Sequence, residues 1–368
     1  MANSVECIVI GAGVIGLAVA RGLAKSGREV LVIESADDIG KGISGRSSEV
    51  IHAGLYYPKN SLKAELCTRG SRFLYDYLKE KGIPHKTVGK LVVAVTDDEV
   101  KALKDLHARA VGNGVTKLES MSAERARALE PNLQCAAALL SPATGIFDSH
   151  AYLAALRTDA EDAGATFAFQ TPFRSARATG MSFHVKTGLD KAEDTIQGQV
   201  LVNAAGMNAQ SVASRIARIP EKTILARHLS KGSYFSFAES APFSHLIYPL
   251  PSADGLGIHF TMDMAGQGRF GPDTEWVDEA NYDVDPQKRE AFYQAIATYF
   301  PTLRARSLKP AYAGVRAKVQ GPDEPPADFI IHGIKEHGLR GLVNLYGIES
   351  PGLTASLGIA DYVVALCK

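Results

Sequence analysis

The amino-acid sequence predicts a mixed α/β fold that begins with a strand–helix–strand unit. A short β-branched run over residues 6–10 leads into a glycine-rich turn. Residues 14–26 carry apolar side chains at helical spacing, and residues 29–33 form a second apolar run. Strands that alternate with helices in this way build parallel sheets, so an α/β domain is expected at the N-terminus.

The length and composition favour a folded protein with more than one core. The chain has 368 residues, so two domains or one large α/β unit are expected. Its 46% hydrophobic and 22% charged residues are ordinary for a globular protein. The 40 basic and 40 acidic residues balance, which gives no electrostatic reason to expect nucleic acid or an anionic membrane as a partner.

The cysteines and the N-terminal segment bear on the cellular compartment. The four cysteines form no C-x-x-C pair and no Cys/His cluster with zinc spacing, so free thiols, a reducing compartment and no metal are expected. No apolar stretch is long and uniform enough to span a bilayer. The apolar segment from residue 7 follows Glu6 and no Lys or Arg, which argues against a signal peptide and for a cytoplasmic location.

The turn after the first strand contains Gly11, Gly13 and Gly16 in the order G-x-G-x-x-G. Glu34 ends the second strand, 18 residues after the last of these glycines. In this pattern the first glycine permits a tight turn, the second lets the backbone approach a pyrophosphate, and the third lets the helix pack against the strand. The pyrophosphate would meet free N–H groups at the helix N-terminus, and Glu34 would bind the adenosine ribose. The turn therefore predicts a Rossmann-type FAD/NAD(P)-binding domain.

Two distant segments favour FAD over a nicotinamide cofactor. The strand that ends in "VNAAG" (202–206) carries small residues, which let a neighbouring strand approach the dinucleotide. Residues 341–366 form a strand, a turn and an amphipathic helix, with Gly352 and Thr354 near the helix start. A helix N-terminus at the flavin would stabilise negative charge on the reduced ring. Three separated pieces that converge on one site suit a long, bent FAD.

Longer segments of the chain resemble a known family. They are "VIGAGVIGLAVARGLA" (9–24), "VIHAGLYYPKNSLKAELC" (50–67), "SPATGIFDSHAYLAAL" (141–156), "GIHFT" (257–261) and "AGVRAK" (313–318). With these segments the chain resembles the glycine oxidase/D-amino-acid oxidase-like superfamily of FAD-dependent oxidoreductases. Within that superfamily it is most similar to the L-2-hydroxyglutarate dehydrogenase/oxidase family. The resemblance covers almost the whole chain.

The resemblance implies an FAD-binding domain interleaved with a substrate domain that has an antiparallel sheet. The FAD-binding domain would comprise residues 1–85, 145–215 and 310–368. The substrate-binding domain would comprise residues 86–144 and 216–309. The family likeness also implies non-covalent FAD and a small-molecule carboxylate as substrate. The sequence leaves open whether the electron acceptor is oxygen or a quinone.

The activity implied by the resemblance is oxidation of an L-2-hydroxy acid, a 2-hydroxyglutarate-like dicarboxylate, to the 2-oxo acid by hydride transfer to flavin N5. This reaction needs a cation for the substrate carboxylate and a base for its hydroxyl. Arg316 is the expected cation, because a guanidinium matches a carboxylate bidentately. The base is expected to be His52 or His259, since a neutral imidazole can take a proton near neutral pH.

Further site residues follow from the family likeness. Candidates for contacts to the distal end of the substrate are Tyr56, Tyr248 and Lys231, and Ser350 is a further candidate for a substrate contact. Expected cofactor-binding residues are Gly11, Ala12, Gly13, Val14, Ile15, Gly16, Glu34, Ser35, Gly42, Ser44, Gly45, Arg46, Ser47, Ser48, His52, Ala53, Gly54, Leu55, Arg174, Ala204, Ala205, Gly206, Arg316, Ser350, Pro351, Gly352, Leu353 and Thr354. Two carboxylates, Glu49 and Glu349, depart from the family pattern near the expected flavin, which bears on the substrate's charge and length.

Two other functions remain open from the sequence. An amine or amino-acid oxidase of the glycine-oxidase type would need a pocket for a neutral amine. A non-catalytic FAD-binding protein would keep the cofactor fold but lose the polar groups at the substrate site. The chain retains two histidines and an arginine at these positions, which favours an enzyme.

Overall fold

The computed structural model describes residues 3–188, 194–250 and 257–368. In these ranges the strands are, in chain order, β1 (Asn3–Ile10), β2 (Val30–Ile33), β3 (Val50–Ile51), β4 (His85–Lys86), β5 (Lys90–Ala94), β6 (Glu119–Ser122), β7 (Ala137–Ser141), β8 (Gly145–Phe147), β9 (Thr166–Ala168), β10 (Phe173–Thr179), β11 (Ser182–Thr187), β12 (Asp194–Asn203), β13 (Ile216–Ala217), β14 (His228–Phe237), β15 (Leu246–Pro249), β16 (His259–Met262), β17 (Gly268–Gly271), β18 (Glu275–Val277), β19 (Leu308–Lys318), β20 (Ile330–His332) and β21 (Leu342–Tyr346). The α-helices in the same ranges are α1 (Val14–Lys25), α2 (Leu62–Glu80), α3 (Val100–Gly112), α4 (Ala123–Leu129), α5 (Ser149–Asp162), α6 (Ala209–Ala213), α7 (Arg289–Ala297), α8 (Ile334–His337) and α9 (Gly352–Leu366).

The first sheet contains the predicted strand–helix–strand unit. Strand β1 pairs in parallel with β2, with Cys7 opposite Val30, and with β12 on its other side. Strand β12 also pairs in parallel with β21, while β11 runs antiparallel to it. The expected parallel unit β1–α1–β2 is therefore confirmed, and the strand before "VNAAG" lies directly beside it.

Helix α1 is held against this sheet because most of its surface is apolar. Leu17, Ala20 and Leu23 are buried in one core with Ile359 and Val363 of α9. Burial of such side chains contributes about 1.5–3 kcal/mol each for the larger ones. The α1–α9 contact brings the last helix of the chain back to the first turn, so both helix N-termini lie near the same strand ends.

One buried carboxylate joins three helices of this domain. Asp159 on α5 accepts hydrogen bonds from Arg21 Nε of α1 at 2.9 Å and Tyr77 Oη of α2 at 3.1 Å, and it also pairs with Lys81. Burial opposes ionisation of Asp159, but these donors outweigh it and lower its pKa to about 2. The carboxylate is therefore ionised throughout the neutral range and fixes the helices to one another.

The second sheet is mainly antiparallel and has the strand order β18-β14-β17-β16-β15-β5-β7-β6, with β19 paired to β14. Its core is rich in aromatic residues, including Phe235, Phe260, Phe270 and Phe300. The predicted strand in "KLVVAV" is β5, and the helical stretch that follows it is α3. An antiparallel sheet outside the dinucleotide-binding unit agrees with the expected mixed α/β fold.

The sheet pairings place two strands differently from the segment boundaries expected from the sequence. Strand β19 pairs with β14 along its length, with Arg316 opposite Ser230, so residues 310–318 belong to the second sheet. Strand β13 pairs with β10 and belongs to the first sheet, although it follows residue 215. The physical reason is that both strands find their hydrogen-bonding partners far away along the chain.

Strands β3, β4 and β8 form a small third sheet beside these two. Val50 and Ile51 of β3 pair with Ile146 and Gly145 of β8. This pairing fixes the segment that leads into His52. Among the helices that the structure describes, none combines the length and apolar character needed to cross a membrane.

Candidate active site

A cavity of about 620 Å³ runs between the two large sheets. This volume falls in the range of about 300–1,000 Å³ that is usual for small-molecule sites. The predicted residues that line it are Gly11, Gly13, Val14, Ile15, Glu34, Ser35, Gly42, Ser44, Arg46, Ser47, Ser48, His52, Arg174, Ala204, Ala205, Gly206, Arg316, Ser350, Pro351, Gly352, Leu353 and Thr354. The structure thus brings together the glycine turn, the "VNAAG" end and the start of α9, as the sequence predicts.

The glycine turn at one end of the cavity has the geometry that its spacing predicts. Gly11 has a φ of +103°, and a β-carbon there would lie 2.7 Å from the carbonyl oxygen of Ala204. A β-carbon at Gly16 would lie 1.8 Å from the carbonyl oxygen of Gly11. At Gly13 the nearest atom to such a carbon is Ser44 Oγ, at 3.3 Å. Gly11 and Gly16 are therefore required by the packing of the protein, whereas a β-carbon at Gly13 would meet only the Ser44 hydroxyl of the loop across the start of α1.

Glu34 is fixed at the end of β2 by backbone donors. Its Oε2 accepts a hydrogen bond from Ala12 N at 2.7 Å, and its Oε1 accepts one from Ala36 N at 2.8 Å. The carboxylate lines the cavity next to the glycine turn. This position suits contact with ribose hydroxyls, which can share the remaining lone pairs of the two oxygens.

The loop over 42–48 lies across the start of α1. Ser44 Oγ accepts a hydrogen bond from Val14 N at 3.0 Å and so satisfies one donor of the first helical turn. Arg46 stacks on the ring of Tyr282, with 3.8 Å between the guanidinium carbon and the ring centroid. Hydroxyl and backbone groups of this loop therefore line the cavity beside the helix N-terminus.

His52 lies on the cavity wall and is held on its backbone side. Its N–H donates to Thr354 Oγ1 at 3.1 Å, and its carbonyl accepts from Cys67 Sγ at 3.5 Å. Its Nε2 lies 3.4 Å from Ser350 Oγ. Burial deep in the protein lowers the pKa of His52 to about 3, and the charge of Lys90 adds to this effect. The imidazole is therefore neutral at neutral pH.

Arg316 enters the same cavity from β19. Its Nη1 donates to Ser230 Oγ at 3.3 Å, and in the part of the chain that the structure describes no carboxylate lies at ion-pair distance. Gly232 on the facing strand lies directly against the guanidinium. A half-buried cation without an anionic partner is ready to bind a carboxylate from a ligand.

Glu349 forms a buried charge cluster that the sequence did not reveal. Its Oε1 accepts from Lys318 Nζ at 2.7 Å and from Lys63 Nζ at 3.1 Å. Burial opposes ionisation of Glu349, but the charges of the two lysines outweigh it and keep its pKa below the ordinary value. Two lysines and one carboxylate leave one uncompensated positive charge beside Arg316, on the wall that Glu349 lines.

Several predicted site residues lie outside the cavity lining. His259 is buried and stacks on Tyr248, with 3.7 Å between the ring centroids. Tyr56 packs on Lys90, and Lys231 is buried within β14. The predicted cofactor-binding residues that do not line the cavity are Ala12, Gly16, Gly45, Ala53, Gly54 and Leu55. Ala12, Gly16, Gly45 and Ala53 each adjoin a lining residue in the sequence, whereas Gly54 and Leu55 lie farther along the chain from the lining.

Other lining residues were not predicted. Tyr234 shares a face of β14 with Gly232, because residues two apart in a strand point the same way. Asn208, Ser211 and Arg215 line the cavity at helical spacing around α6. These spacings are visible in the sequence. They identify cavity-lining residues only when the positions of the neighbouring strand ends are known.

Glu49 lies in the left-handed region, with a φ of 59°, where a residue other than glycine is strained. Its Oε1 accepts from Ser149 N at 3.2 Å and Ser149 Oγ at 2.8 Å. Oxygen and nitrogen atoms of Glu49, Asp148 and His150 lie within 4.8 Å of one another. Glu49 is therefore occupied in holding the start of α5.

The residues that line the cavity match the chemical groups of FAD. The backbone at Gly13, which lines the cavity without a side chain, and the N-terminus of the 12-residue helix α1 can accept a pyrophosphate. Glu34 stands where a ribose is expected, and the N-terminus of α9 faces the cavity on the His52 side. Glycine, hydroxyl, carboxylate and cationic groups are thus distributed along one elongated cavity.

Comparison with known proteins shows similarity over nearly the whole chain. The family model described as FAD dependent oxidoreductase matches residues 6–366. The mitochondrial L-2-hydroxyglutarate dehydrogenase of Arabidopsis thaliana is 40% identical over 98% of this chain and 82% of its own length. A glycerol 3-phosphate dehydrogenase of Caloramator mitchellensis is 28% identical over 99% of this chain and 74% of its own.

Solved structures share the fold. The L-α-glycerophosphate oxidase of Mycoplasma pneumoniae, solved with FAD bound, superposes with a TM-score of 0.90 at 22% identity, over 99% of this chain and 95% of that one. The glycine oxidase of Geobacillus kaustophilus gives 0.82 at 19% identity, with the same coverage of 99% and 95%. With a family match over nearly its full length and a dinucleotide cradle that fits the cofactor, the chain belongs to the family of FAD-dependent oxidoreductases.

Proposed function

We propose that the protein oxidises an L-2-hydroxy acid, a dicarboxylate of the 2-hydroxyglutarate type, to the corresponding 2-oxo acid. The observation that carries this proposal is the presence of Arg316 and His52 on the wall of the cavity that also holds the glycine cradle. The relative with 40% identity, an L-2-hydroxyglutarate dehydrogenase, supports the same substrate class.

Arg316 would hold the C1 carboxylate of the substrate. Its guanidinium has two parallel N–H groups to offer, and Ser230 Oγ occupies Nη1 only weakly at 3.3 Å. A bidentate ion pair would fix the α-carbon relative to the wall of the cavity. Such positioning lowers the barrier because the reacting atoms no longer have to be ordered in the transition state.

His52 would accept the proton of the substrate hydroxyl. Its imidazole is neutral, and the 3.4 Å distance from Nε2 to Ser350 Oγ is too long for a strong hydrogen bond. A substrate hydroxyl at hydrogen-bond distance would therefore compete well for Nε2. The bonds from the His52 backbone to Thr354 and Cys67 hold the ring in place while the proton is transferred.

The cofactor would lie along the lining residues already described. Gly11, Gly13 and the start of α1 would hold the pyrophosphate, Glu34 the ribose, and the start of α9 the flavin. Bound FAD supplies the hydride acceptor for the α-hydrogen of the substrate. The electron acceptor that would reoxidise it is proposed to be oxygen or a quinone.

The charges at the Arg316 end support an anionic substrate over a neutral amine. The cluster of Lys63, Lys318 and Glu349 adds one positive charge near Arg316. A dicarboxylate can compensate both charges, whereas glycine or sarcosine would bring an ammonium group or a neutral amine into a positive region. An amine or amino-acid oxidase of the glycine-oxidase type is therefore the less supported function.

A substrate panel under anaerobic conditions tests the proposal. L-2-Hydroxyglutarate, D-2-hydroxyglutarate, L-lactate, glycerol 3-phosphate, glycine and sarcosine are mixed separately with the FAD-loaded protein, and loss of flavin absorbance is followed. We expect rapid bleaching by L-2-hydroxyglutarate and slower or no bleaching by the others. Bleaching by glycine or sarcosine alone would refute the proposal. Bleaching by glycerol 3-phosphate alone would show that the substrate is a phosphorylated alcohol and not a 2-hydroxy acid.

The matched variants are Arg316→Ala and Arg306→Ala. Arg316→Ala should keep FAD but lose about 2–5 kcal/mol of substrate binding, because a charge-paired contact is removed. Arg306, outside the cavity lining, serves as the control for loss of an arginine in the same region of the chain. Unchanged bleaching by the Arg316 variant would contradict the role assigned to this residue.

A further inference from the structure

Tyr312 of β19 connects the second sheet to the loop over 42–48. Its Oη donates a hydrogen bond to the carbonyl oxygen of Ser47 at 3.1 Å. Ser47 lines the cavity that begins at the glycine turn, whereas Tyr312 itself is not among the lining residues. The phenol therefore reaches the cofactor cavity through the backbone of this loop.

The ring of Tyr312 is held in place by other residues of the second sheet. Tyr234 of β14 stacks on it, with 4.6 Å between the ring centroids and 7° between the planes. The guanidinium of Arg269 lies over the same ring, 5.5 Å from its centroid, and pairs with Asp263 at 2.6 Å. Burial raises the pKa of Tyr312, so the hydroxyl keeps the proton that it donates. A phenylalanine would keep the stacking on Tyr234 but lose the bond to Ser47.

The residue of the loop before Ser47 is also in contact with this half of the molecule. A β-carbon at Gly314, two residues after Tyr312 on β19, would lie 2.8 Å from the carbonyl oxygen of Arg46. The guanidinium of Arg46 stacks on Tyr282, which follows β18 in the chain. Two consecutive residues of the loop are therefore held from the side of the second sheet.

The other side of the loop is bound to the dinucleotide-binding unit. Ser44 Oγ accepts a hydrogen bond from Val14 N, at the start of α1, at 3.0 Å. Gly40 N donates to the carbonyl oxygen of Ala12 at 3.0 Å, and Gly45 N donates to that of Gly40 at 3.0 Å. The loop thus extends from the glycine turn to β19, and its position depends on bonds on both sides.

We propose that Tyr312 is a positioning residue that holds the loop over 42–48 in the conformation that binds FAD. A loop that is already ordered favours binding, because the ligand does not have to select a minor conformation. Arg316 lies on the same face of β19 as Tyr312, since alternate residues of a strand point the same way. One strand therefore positions both the cofactor loop and the cation of the proposed substrate site. The inference goes beyond the proposed function and does not depend on which substrate is oxidised.

The test compares Tyr312→Phe with Tyr299→Phe in the full-length protein. Tyr299 Oη also donates to a carbonyl oxygen, that of Ile258 at 2.8 Å, and Tyr299 lies in the aromatic core of the second sheet. Each variant loses one bond from a phenol to a carbonyl, but only Tyr312→Phe loses a bond to the loop. We expect Tyr312→Phe to raise the Kd for FAD by about 3- to 10-fold, the equilibrium effect of one hydrogen bond. Tyr299→Phe should lower the Tm of the apoprotein and leave this Kd unchanged.

Fluorescence titration with FAD and thermal unfolding of the apoprotein measure these two quantities. An unchanged Kd in Tyr312→Phe would overturn the proposal, because the loop would then be equally ordered without the bond. An equal rise of the Kd in Tyr299→Phe would also overturn it, because the cause would then be a general loss of stability. Neither measurement involves a substrate, so the result is independent of the proposed oxidation.

Cleavage by trypsin gives a second measurement that reports on the loop without FAD. Arg46 is exposed, and the peptide bond that follows it belongs to the loop. Proteolysis of a transiently opened segment follows the population of its open form. In the apoprotein we expect fragment 1–46 to form about 3- to 10-fold faster in Tyr312→Phe than in Tyr299→Phe, again the effect of one hydrogen bond. Equal rates of cleavage at this bond would overturn the proposal.

Discussion

The guanidinium of Arg316 lies so close to Gly232 that a β-carbon at position 232 would stand 2.6 Å from Nη2. The same carbon would lie 2.7 Å from Pro272 Cβ, on the other side. A rigid proline on one side leaves the arginine as the group that must move. The absence of a side chain at position 232 therefore sets where the cation of the proposed substrate site lies.

Gly232→Ala should displace the Arg316 guanidinium and weaken substrate binding. A misplacement of about 1 Å can cost up to roughly 100-fold in rate, so we expect kcat/KM to fall by about 10- to 100-fold while FAD stays bound. Steady-state kinetics and the flavin spectrum provide the measurement. Gly112→Ala, whose new carbon would meet no atom within 4 Å outside the neighbouring backbone of α3, is the control. Wild-type kinetics in Gly232→Ala would show that Arg316 tolerates the displacement or does not bind substrate.

The two candidate histidines can be separated by substitution. His52→Gln should lower kcat by about 10²–10⁴-fold, the usual contribution of a general base. His259→Gln should mainly lower Tm, because His259 is buried against Tyr248 and does not line the cavity. Stopped-flow flavin reduction and thermal unfolding of both variants decide between them. A larger loss of reduction rate in His259→Gln than in His52→Gln would reverse the assignment.

Substitution of Gly16 and substitution of Gly13 in the first turn should have different effects on stability and on FAD binding. Gly16→Ala places a carbon 1.8 Å from the Gly11 carbonyl oxygen, so it should lower Tm even when FAD is removed. Gly13→Ala meets only Ser44 Oγ, at 3.3 Å, and should weaken FAD binding with little change in the Tm of the apoprotein. Thermal unfolding and fluorescence titration with FAD measure the two effects. Equal losses of Tm in both apoproteins would contradict a cofactor-directed role for Gly13.

Asp159 should make stability depend on pH in the acid range. Its pKa is lowered to about 2, so its contribution is present above the ordinary aspartate value and is lost as pH falls through 2. We expect Asp159→Asn to lose about 2 kcal/mol of unfolding free energy at pH 7 and roughly half of that at pH 3. Urea unfolding at both pH values measures this difference. Asp105→Asn on the exposed face of α3 should show no such dependence, and a pH-independent loss in Asp159→Asn would indicate lost packing instead.

The first unit of the fold was predictable because its signals are local. The conformation at Gly11 and the contact between Gly16 and Gly11 involve residues within one turn. The assignment of β19 to the second sheet was not predictable from residues 308–318 alone. That strand is defined by pairing with β14, about 80 residues earlier in the chain, and its own sequence contains no mark of its partner.

The site was predictable only where a motif identifies the residues. His52 and His259 are both single histidines beside apolar residues, so the sequence cannot show that one lines the cavity and the other stacks on a tyrosine. The pairing of Glu349 with Lys63 joins residues 286 positions apart. Whether such a charged side chain is paired or exposed is decided only when the chain folds. The spacing of residues in the sequence therefore does not reveal the ion pair.

The path of the chain between the two large sheets has a consequence for protein engineering. The polypeptide enters the second sheet at β5, leaves it after β7, returns at β14 and leaves again after β19. A chimera that takes its substrate half from a relative would therefore need four splice points rather than one. Substitutions within β14 and β19 are the better starting point for changing substrate specificity. They can alter residues that line the cavity without exchanging whole segments of the chain.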